Sequence, residues 1–260
     1  MKIKFKEALL FASWVFERNK VPSKYSGICA DVLLSADEHG FKSHGLSRLG
    51  YYIKRIKDKV IDVNASPEVV RDNKSCVIID GHNALGQIVG KYAMNQAIAK
   101  TQEHGISCVA VKNSSHYGIA SYYSRYATKQ NLVGMSFTNA RPAVAPYGGC
   151  EPKMGTNPYA IAFPSDMKFP FSIDCATSSY QRGDLEVQAR ATPDNYVPNC
   201  AIVSENQNLT FERSLNWLKK GIAALTPIGG HKGSGLSIAI ELMCSAFQSG
   251  ACMSQLSGLY

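Results

Sequence analysis

Two histidines sit on polar, glycine-flanked turns. His44 lies in Ser43-His44-Gly45-Leu46-Ser47-Arg48, and His116 lies in Asn113-Ser114-Ser115-His116-Tyr117-Gly118. Histidine is the side chain suited to moving protons near neutral pH. Taken singly, each also reads as a structural or exposed histidine; two in such contexts raise the catalytic reading. Arg48 follows His44 by four residues, one helical turn on, where a guanidinium can offer a two-pronged fork to a carboxylate beside an imidazole. His39, His82, His104 and His231 have weaker contexts. No HExxH or comparable spacing is present, so a catalytic metal is not expected. No GxSxG supports a serine hydrolase.

Two further stretches could serve such a pair. The first is Val133–Pro164, VGMSFTNARPAVAPYGGCEPKMGTNPYAIAFP. Apolar runs at Val133–Phe137 and Tyr159–Phe163 read as buried strands that bracket a long loop rich in Pro, Gly and Asn. Loops of that length, when ordered, are usually functional, although a stiff surface loop without chemistry reads the same way. The second is Pro227-Ile228-Gly229-Gly230-His231-Lys232-Gly233-Ser234-Gly235, ahead of an apolar helix over Leu236–Phe247. Glycines and a lysine before a helix make an anion cradle plausible, because the first N–H groups of a helix are free. The spacing is not that of a Walker A motif. No GxGxxG follows a strand either, so an ordinary Rossmann site is not supported.

These residues need elements to hold them. Helical spacing is predicted over residues 4–19, 24–38 and 46–60, with a polar turn from Gly40 to Gly45 before the third. After Pro67 the pattern changes to strands at Cys76–Asp80 and Ser107–Val111, alternating with helices over Asn83–His104 and Ile119–Lys129. Phe169–Asp174 reads as a strand, Leu185–Ala189 as another, and Leu215–Ala224 as weakly helical. Residues 191–210 are polar and irregular. The expected fold is α+β: a helical region, residues 1–70 plus 236–260, packed on a mixed β-sheet built from residues 71–235.

The chain has 260 residues and a formal charge of +8, with 45% hydrophobic and 18% charged residues. That composition is ordinary for a globular protein with a sizeable core. No apolar run of about 18 residues is present, so no membrane span is expected. The basic N-terminus reads as an amphipathic helix and not a signal peptide. Eight scattered cysteines without a CxxC pair suggest reduced thiols and a cytoplasmic protein. No lysine and arginine cluster or aromatic-interleaved basic stripe points to nucleic acid. A small anionic substrate, cofactor phosphates or a plain solvated surface accounts for the positive charge.

The segments SADEHGFKSHGLSRLGYY, VKNSSHYGIASYY, TNARPAVAPYGGCEPKMGTNPYAIAFP, IDCATS and TPIGGHKGSGL occur in that order. Together they resemble the malate/L-lactate dehydrogenase family of type 2, over about residues 5–250. That family includes ureidoglycolate and sulfolactate dehydrogenases and diketogulonate and piperideine-2-carboxylate reductases. The resemblance implies hydride transfer between a 2-hydroxy acid and a 2-oxo acid with NAD or NADP, a non-Rossmann nicotinamide-binding fold, and a homodimer. It implies acid/base roles for His44 and His116, without choosing between them. It places Arg48, Ser43 and Thr156 on the substrate. It gives cofactor contacts to Thr138, Asn139, Ala140, Asp174, Cys175, Ala176 and Lys232, with Thr156 close to the cofactor as well.

The sequence departs from the family pattern in three places. Cys175 stands where many members have Met, and Asp184 where many have Lys. Relatives also continue beyond the position of Tyr260, so the resemblance implies a shortened chain without a tail that carries further strands and cofactor contacts. Malate or a close 2-hydroxy acid is the first expected substrate. A cyclic imine or diketo acid, or a non-catalytic remnant that keeps the dimer surface, are the alternatives.

Overall fold

The computed structural model describes residues 3–198, 202–203 and 209–256. The chain forms two compact units. The first runs through Ser136 and takes back Ile161–Ile173; the second holds Phe137–Ala160 and resumes at Asp174.

The first unit opens with helices α1 (Phe5–Arg18) and α2 (Ser23–Glu38). In α1, Ala8, Ala12 and Phe16 recur every four residues and are buried, which is the apolar stripe of a one-sided helix. Phe16 has no exposed surface; burying such a side chain stabilises by about 1.5–3 kcal/mol. Helix α2 is buried more broadly, at Cys29, Ala30, Val32, Leu33, Leu34 and Ala36. It packs on α1, on α4 (Gly86–His104) and on α5 (Ala120–Thr128). A 3-10 turn, Leu46–Arg48, leads into α3 (Leu49–Lys57). Phe16, Leu33, Leu49, Tyr52, Leu85 and Ile88 share one core.

The strands of this unit are β1 (Glu68–Asn73), β2 (Cys76–Asp80) and β3 (Cys108–Lys112), in the order β1-β2-β3. β1 and β2 are antiparallel, and β2 and β3 are parallel with α4 between them. Their core joins Val77 and Ile79 to Ala84, Val89 and Ala93 of the following turn and helix. Helix α4 stops at Gly105, whose φ of 83° is open to glycine. Asp80 pairs with Lys112 in the register, so the turns after β2 and β3 leave from the same edge. Ligand sites in open α/β sheets occur at such carboxyl ends.

The chain crosses between units in β4 (Gly134–Phe137), β5 (Tyr159–Phe163) and β6 (Phe171–Cys175), which pair in that order. The second unit adds α6 (Arg182–Ala191), β7 (Ile202–Val203), α7 (Phe211–Lys220), β8 (Ala224–Leu225) and α8 (His231–Cys244). Thr210 caps α7 by accepting from the Arg213 amide, and Gly221 closes it in the left-handed region. Val144, Met154, Leu185, Val197, Phe211 and Leu225 form the core.

The α+β class is as expected, but among the described residues the strands are spread over three small sheets and do not form one mixed sheet. Leu185–Ala189, read as a strand, is part of α6. Its alternating L-E-V-Q-A pattern imitates a strand, yet Leu185 and Glu186 are both buried, and Glu186 meets Arg182 one turn back at 3.4 Å. β1 was not anticipated; its residues are almost all exposed, so it lacks an apolar signature. The helical stretch at Leu215–Ala224 begins earlier, at Phe211, and yields to β8. The change of pattern near residue 70 falls inside the first unit, and α8 belongs to the second. Residues 191–210 lie partly outside the described residues. No described helix is long and apolar enough to cross a membrane.

Candidate active site

In the first unit both histidine turns are built from strand and helix ends. After β2 and β3 the chain is sewn together by polar groups. The Asn113 amide donates to both Asp80 carboxylate oxygens, at 3.0 and 2.9 Å, and the His82 N–H donates to Asp80 Oδ1. The Gly81 and Asn83 amides donate to the Lys112 and Asn113 carbonyls. Asn113 has φ of 53°, a left-handed conformation that asparagine tolerates. Ser115 Oγ accepts from the Gly86 amide and donates to the Ala84 carbonyl. Position 86 has no room for a side chain: a Cβ there would sit 2.2 Å from the Ser115 carbonyl oxygen and 2.5 Å from that of His116. These ties fix where His116 leaves the sheet.

The His44 turn follows α2. Asp37 Oδ2 accepts from the Leu46 amide at 2.8 Å, and the Asp37 carboxyl fills the space beside Gly45, 1.9 Å from where a Cβ would stand. Arg48 is buried and donates through Nε to the Ser43 carbonyl at 2.6 Å. Its guanidinium also lies over Tyr51, 5.0 Å from the ring centre. Ser43 Oγ meets His44 Nδ1 at 3.0 Å.

The two turns bring the imidazoles together. His44 and His116 stack with ring centres 5.6 Å apart and planes 21° from parallel. Both rings are half-buried. Burial lowers the His44 pKa to about 4, with the Arg48 charge adding to the effect. Burial also lowers that of His116 to about 3, helped by His44, Arg48 and Arg55. Near neutral pH both are therefore uncharged and able to exchange one proton each. Tyr52, from α3, touches His116 Nδ1 through its hydroxyl at 2.5 Å.

The depressed values carry a stability consequence. Between the unfolded pKa of about 6.5 and the folded values, the unfolded chain binds protons that the folded chain refuses, so stability falls as pH falls across that window. Each histidine should lower stability by up to about 1.4 kcal/mol per pH unit as pH falls from ~6.5 to ~4. Urea titrations from pH 4 to 7 should show a shallower pH slope in the double variant His44→Gln, His116→Gln than in the parent. Equal slopes would show that the histidines are not the source.

The other expected site residues lie in the second unit, several of them around a hydrogen-bond network. Asn157 is fully buried and has φ of 30°. Its Oδ1 accepts from the Ala140 amide at 2.9 Å; its Nδ2 donates to Ser237 and, at 2.9 Å, to Glu241 Oε2. Glu241 Oε1 accepts from Asn139 Nδ2 and the Met253 amide. The Thr138 amide donates to the Pro158 carbonyl, and Thr138 Oγ1 to that of Asn139. The Thr156 carbonyl accepts from both the amide and the hydroxyl of Thr177, directly after Asp174, Cys175 and Ala176. The Thr177 carbonyl accepts from the Ile228 amide, which leads to α8 and exposed Lys232. Burial and the neighbouring Asp174 push the Cys175 thiol up. His44, His116, Ser43 and Arg48 thus form one cluster in the first unit. Thr138, Asn139, Ala140, Thr156, Asp174, Cys175, Ala176 and Lys232 belong to the second.

Tyr52, Asn157 and Glu241 escaped the reading of the sequence. Tyr52 shares its helical spacing with ordinary core residues and gives no signal. Glu241 does give one: a lone carboxylate within the apolar run Leu236–Phe247 must be paired if the helix is buried.

A family model described as malate/L-lactate dehydrogenase matches residues 3–260. The chain is 39% identical to the L-sulfolactate dehydrogenase of Methanocaldococcus jannaschii, over 88% of this chain and 64% of that one. It is 38% identical to the malate dehydrogenase of Pyrococcus abyssi, over 94% of this chain and 68% of the relative. The chain therefore spans about two-thirds of the length of these curated relatives. Among solved structures, the malate dehydrogenase of Entamoeba histolytica superimposes with a TM-score of 0.94 at 32% identity, covering 98% of this chain and 73% of that one. The sequence match along the whole chain and the shared fold agree: the chain belongs to the malate/L-lactate dehydrogenase family.

Proposed function

We propose that the chain carries active-site groups of an oxidoreductase that interconverts a 2-hydroxy acid, malate first, and its 2-oxo acid with NAD or NADP. The stacked His44–His116 pair beside buried Arg48 is the observation that carries this reading. Two uncharged imidazoles can between them accept the hydroxyl proton and hydrogen-bond the oxygen on C2, and one fixed guanidinium can hold the carboxylate next to it. The names of the relatives, dehydrogenases of malate and sulfolactate, support the substrate class.

The second unit offers a donor set suited to a dinucleotide. Thr156 brings a hydroxyl, Asp174 a carboxylate and the Thr138–Ala140 turn the Asn139 amide, and Lys232 at the start of α8 suits a phosphate. The proposal includes a non-Rossmann site, with which the lack of a GxGxxG agrees. When bound, the nicotinamide supplies the acceptor or donor of the hydride. The chain's own part is to hold the carboxylate at Arg48, and to remove the hydroxyl proton as the C2 hydrogen leaves with its electron pair. A cytoplasmic homodimer is part of the same proposal.

The test is a screen of 2-oxo acids with NADH and NADPH, read by nicotinamide absorbance beside thermal shift. A nucleotide at a hundred times its Kd should stabilise by about 2.7 kcal/mol. Absence of both turnover and shift would defeat the reading. Arg48→Lys keeps the charge but loses the planar fork. Losing one charge-assisted hydrogen bond costs about 1.5–3 kcal/mol, so KM should rise roughly 10–100-fold, with a smaller fall in kcat. An unchanged KM would remove Arg48 from the substrate.

A further inference from the structure

We infer that Tyr52 and the Gly118 amide lock His116 into one neutral tautomer, with its proton on Nε2, and that Tyr52 is thereby a positioning residue for the reaction proposed above.

The argument begins with a group that has no choice. A backbone N–H can only donate, and that of Gly118 points at His116 Nδ1 from 3.3 Å. Nδ1 must then present its lone pair. The Tyr52 hydroxyl lies 2.5 Å from the same nitrogen, so it too must donate. A neutral imidazole carries one N–H, and with Nδ1 receiving two donors that proton is left to Nε2.

The geometry around Tyr52 keeps this arrangement in place. The ring has no exposed surface and sits in the helical core against Phe16, with ring centres 6.5 Å apart. Burial pushes the phenol's pKa up, so it stays protonated and remains a donor. Gln87, also without exposed surface, lies beside the phenol and offsets part of that rise. Gly118 is held as well: its φ is 92°, and a Cβ there would stand 2.5 Å from Val32.

His44 is not constrained in the same way. Its Nδ1 partner is the Ser43 hydroxyl, which rotates to donate or accept. The stacked rings are therefore unlike. His116 offers a fixed N–H donor to the oxygen on C2 of the substrate, and a neutral imidazole in that role polarises a carbonyl without an added charge. Resting on the 2-oxo acid reading, the inference assigns this donor role to His116 and its orientation to Tyr52.

The experiment uses histidine labelled with 15N in the whole chain at neutral pH, with the His116 signals assigned by their loss in His116→Gln. Expected is a proton on Nε2 and none on Nδ1. Tyr52→Phe keeps the ring in the core and removes one donor. It should lower the Nε2–H population and cut kcat about 10–100-fold, the usual worth of a group that orients another, with little change in KM. A wild-type proton on Nδ1 overturns the lock. Unchanged tautomer and kcat in Tyr52→Phe overturn the role of Tyr52. If that variant does not fold, the wild-type spectrum alone decides the lock. If wild type turns over no 2-oxo acid with either nucleotide, the reaction and the positioning role fall together, while the spectrum still decides the tautomer.

Discussion

Replacing His116 by alanine should lower turnover by ~10²–10⁴-fold, the usual contribution of a positioned acid or base, and His44→Ala should do the same. The imidazoles stack, and each is held uncharged by burial, so neither can stand in for the other without moving. A stability cost will accompany the loss. His116→Ala strands the buried Tyr52 hydroxyl, and an unpaired buried polar group costs about 1–3 kcal/mol. Turnover per folded molecule, with melting temperature measured beside it, separates the two effects. Activity that falls only as the folded fraction falls would make the histidines structural. A double variant that loses no more than either single one would show them acting as a unit.

The second large effect is expected at Asn157. Its side chain links the Ala140 amide to Ser237 and Glu241, and its φ of 30° suits asparagine better than alanine. Asn157→Ala leaves those buried groups short of a partner and should cost roughly 2–4 kcal/mol. Asn157→Asp nearly preserves the shape and still accepts from Ala140. It turns a carboxylate toward Glu241 Oε2, where the amide donated at 2.9 Å, and like charges at that distance repel. The aspartate variant should therefore melt at or below the alanine variant at pH 7 and recover as pH falls. An aspartate variant as stable as wild type at pH 7 would show that the Asn157–Glu241 pairing does not hold this region together. In the same preparations, nucleotide-induced thermal shifts should shrink, because the 138–140 turn loses its anchor.

Local features were legible in the sequence where one physical signal dominated. Cys76–Asp80 and Tyr159–Phe163 read as strands with the bounds they have in the structure, since short apolar runs between polar turns leave little choice. Helix α4 was visible up to its glycine stop. Where two signals competed, the reading failed. Leu185–Ala189 alternates as a strand does, but the Arg182–Glu186 pair and the burial of Leu185 belong to a helix. β1 carries no pattern because its place at a sheet edge asks for none. The division into units depends on contacts remote in sequence, which local periodicity does not record. In the site, the glycine-flanked histidines announced themselves. Tyr52 did not, because a buried aromatic on a helix looks alike whether its hydroxyl is idle or engaged. Asn157 was lost among the prolines and glycines around it.

The glycines beside the two histidines have a consequence for how such sequences diverge. At position 45 the space for a methyl group is taken by Asp37, and at position 86 by the carbonyl oxygens of Ser115 and His116. Gly27, in contrast, faces open space in α2, where alanine would favour the helix by about 0.5–1 kcal/mol. Drift at positions 45 and 86 is barred by volume before chemistry is consulted, while position 27 is free to wander. The short motif around His44 is therefore a double record. On the function proposed above its histidine reports a reaction, and its glycine reports the shape of a neighbour eight residues upstream. A lineage that abandoned catalysis would shed the first and still be bound to keep the second.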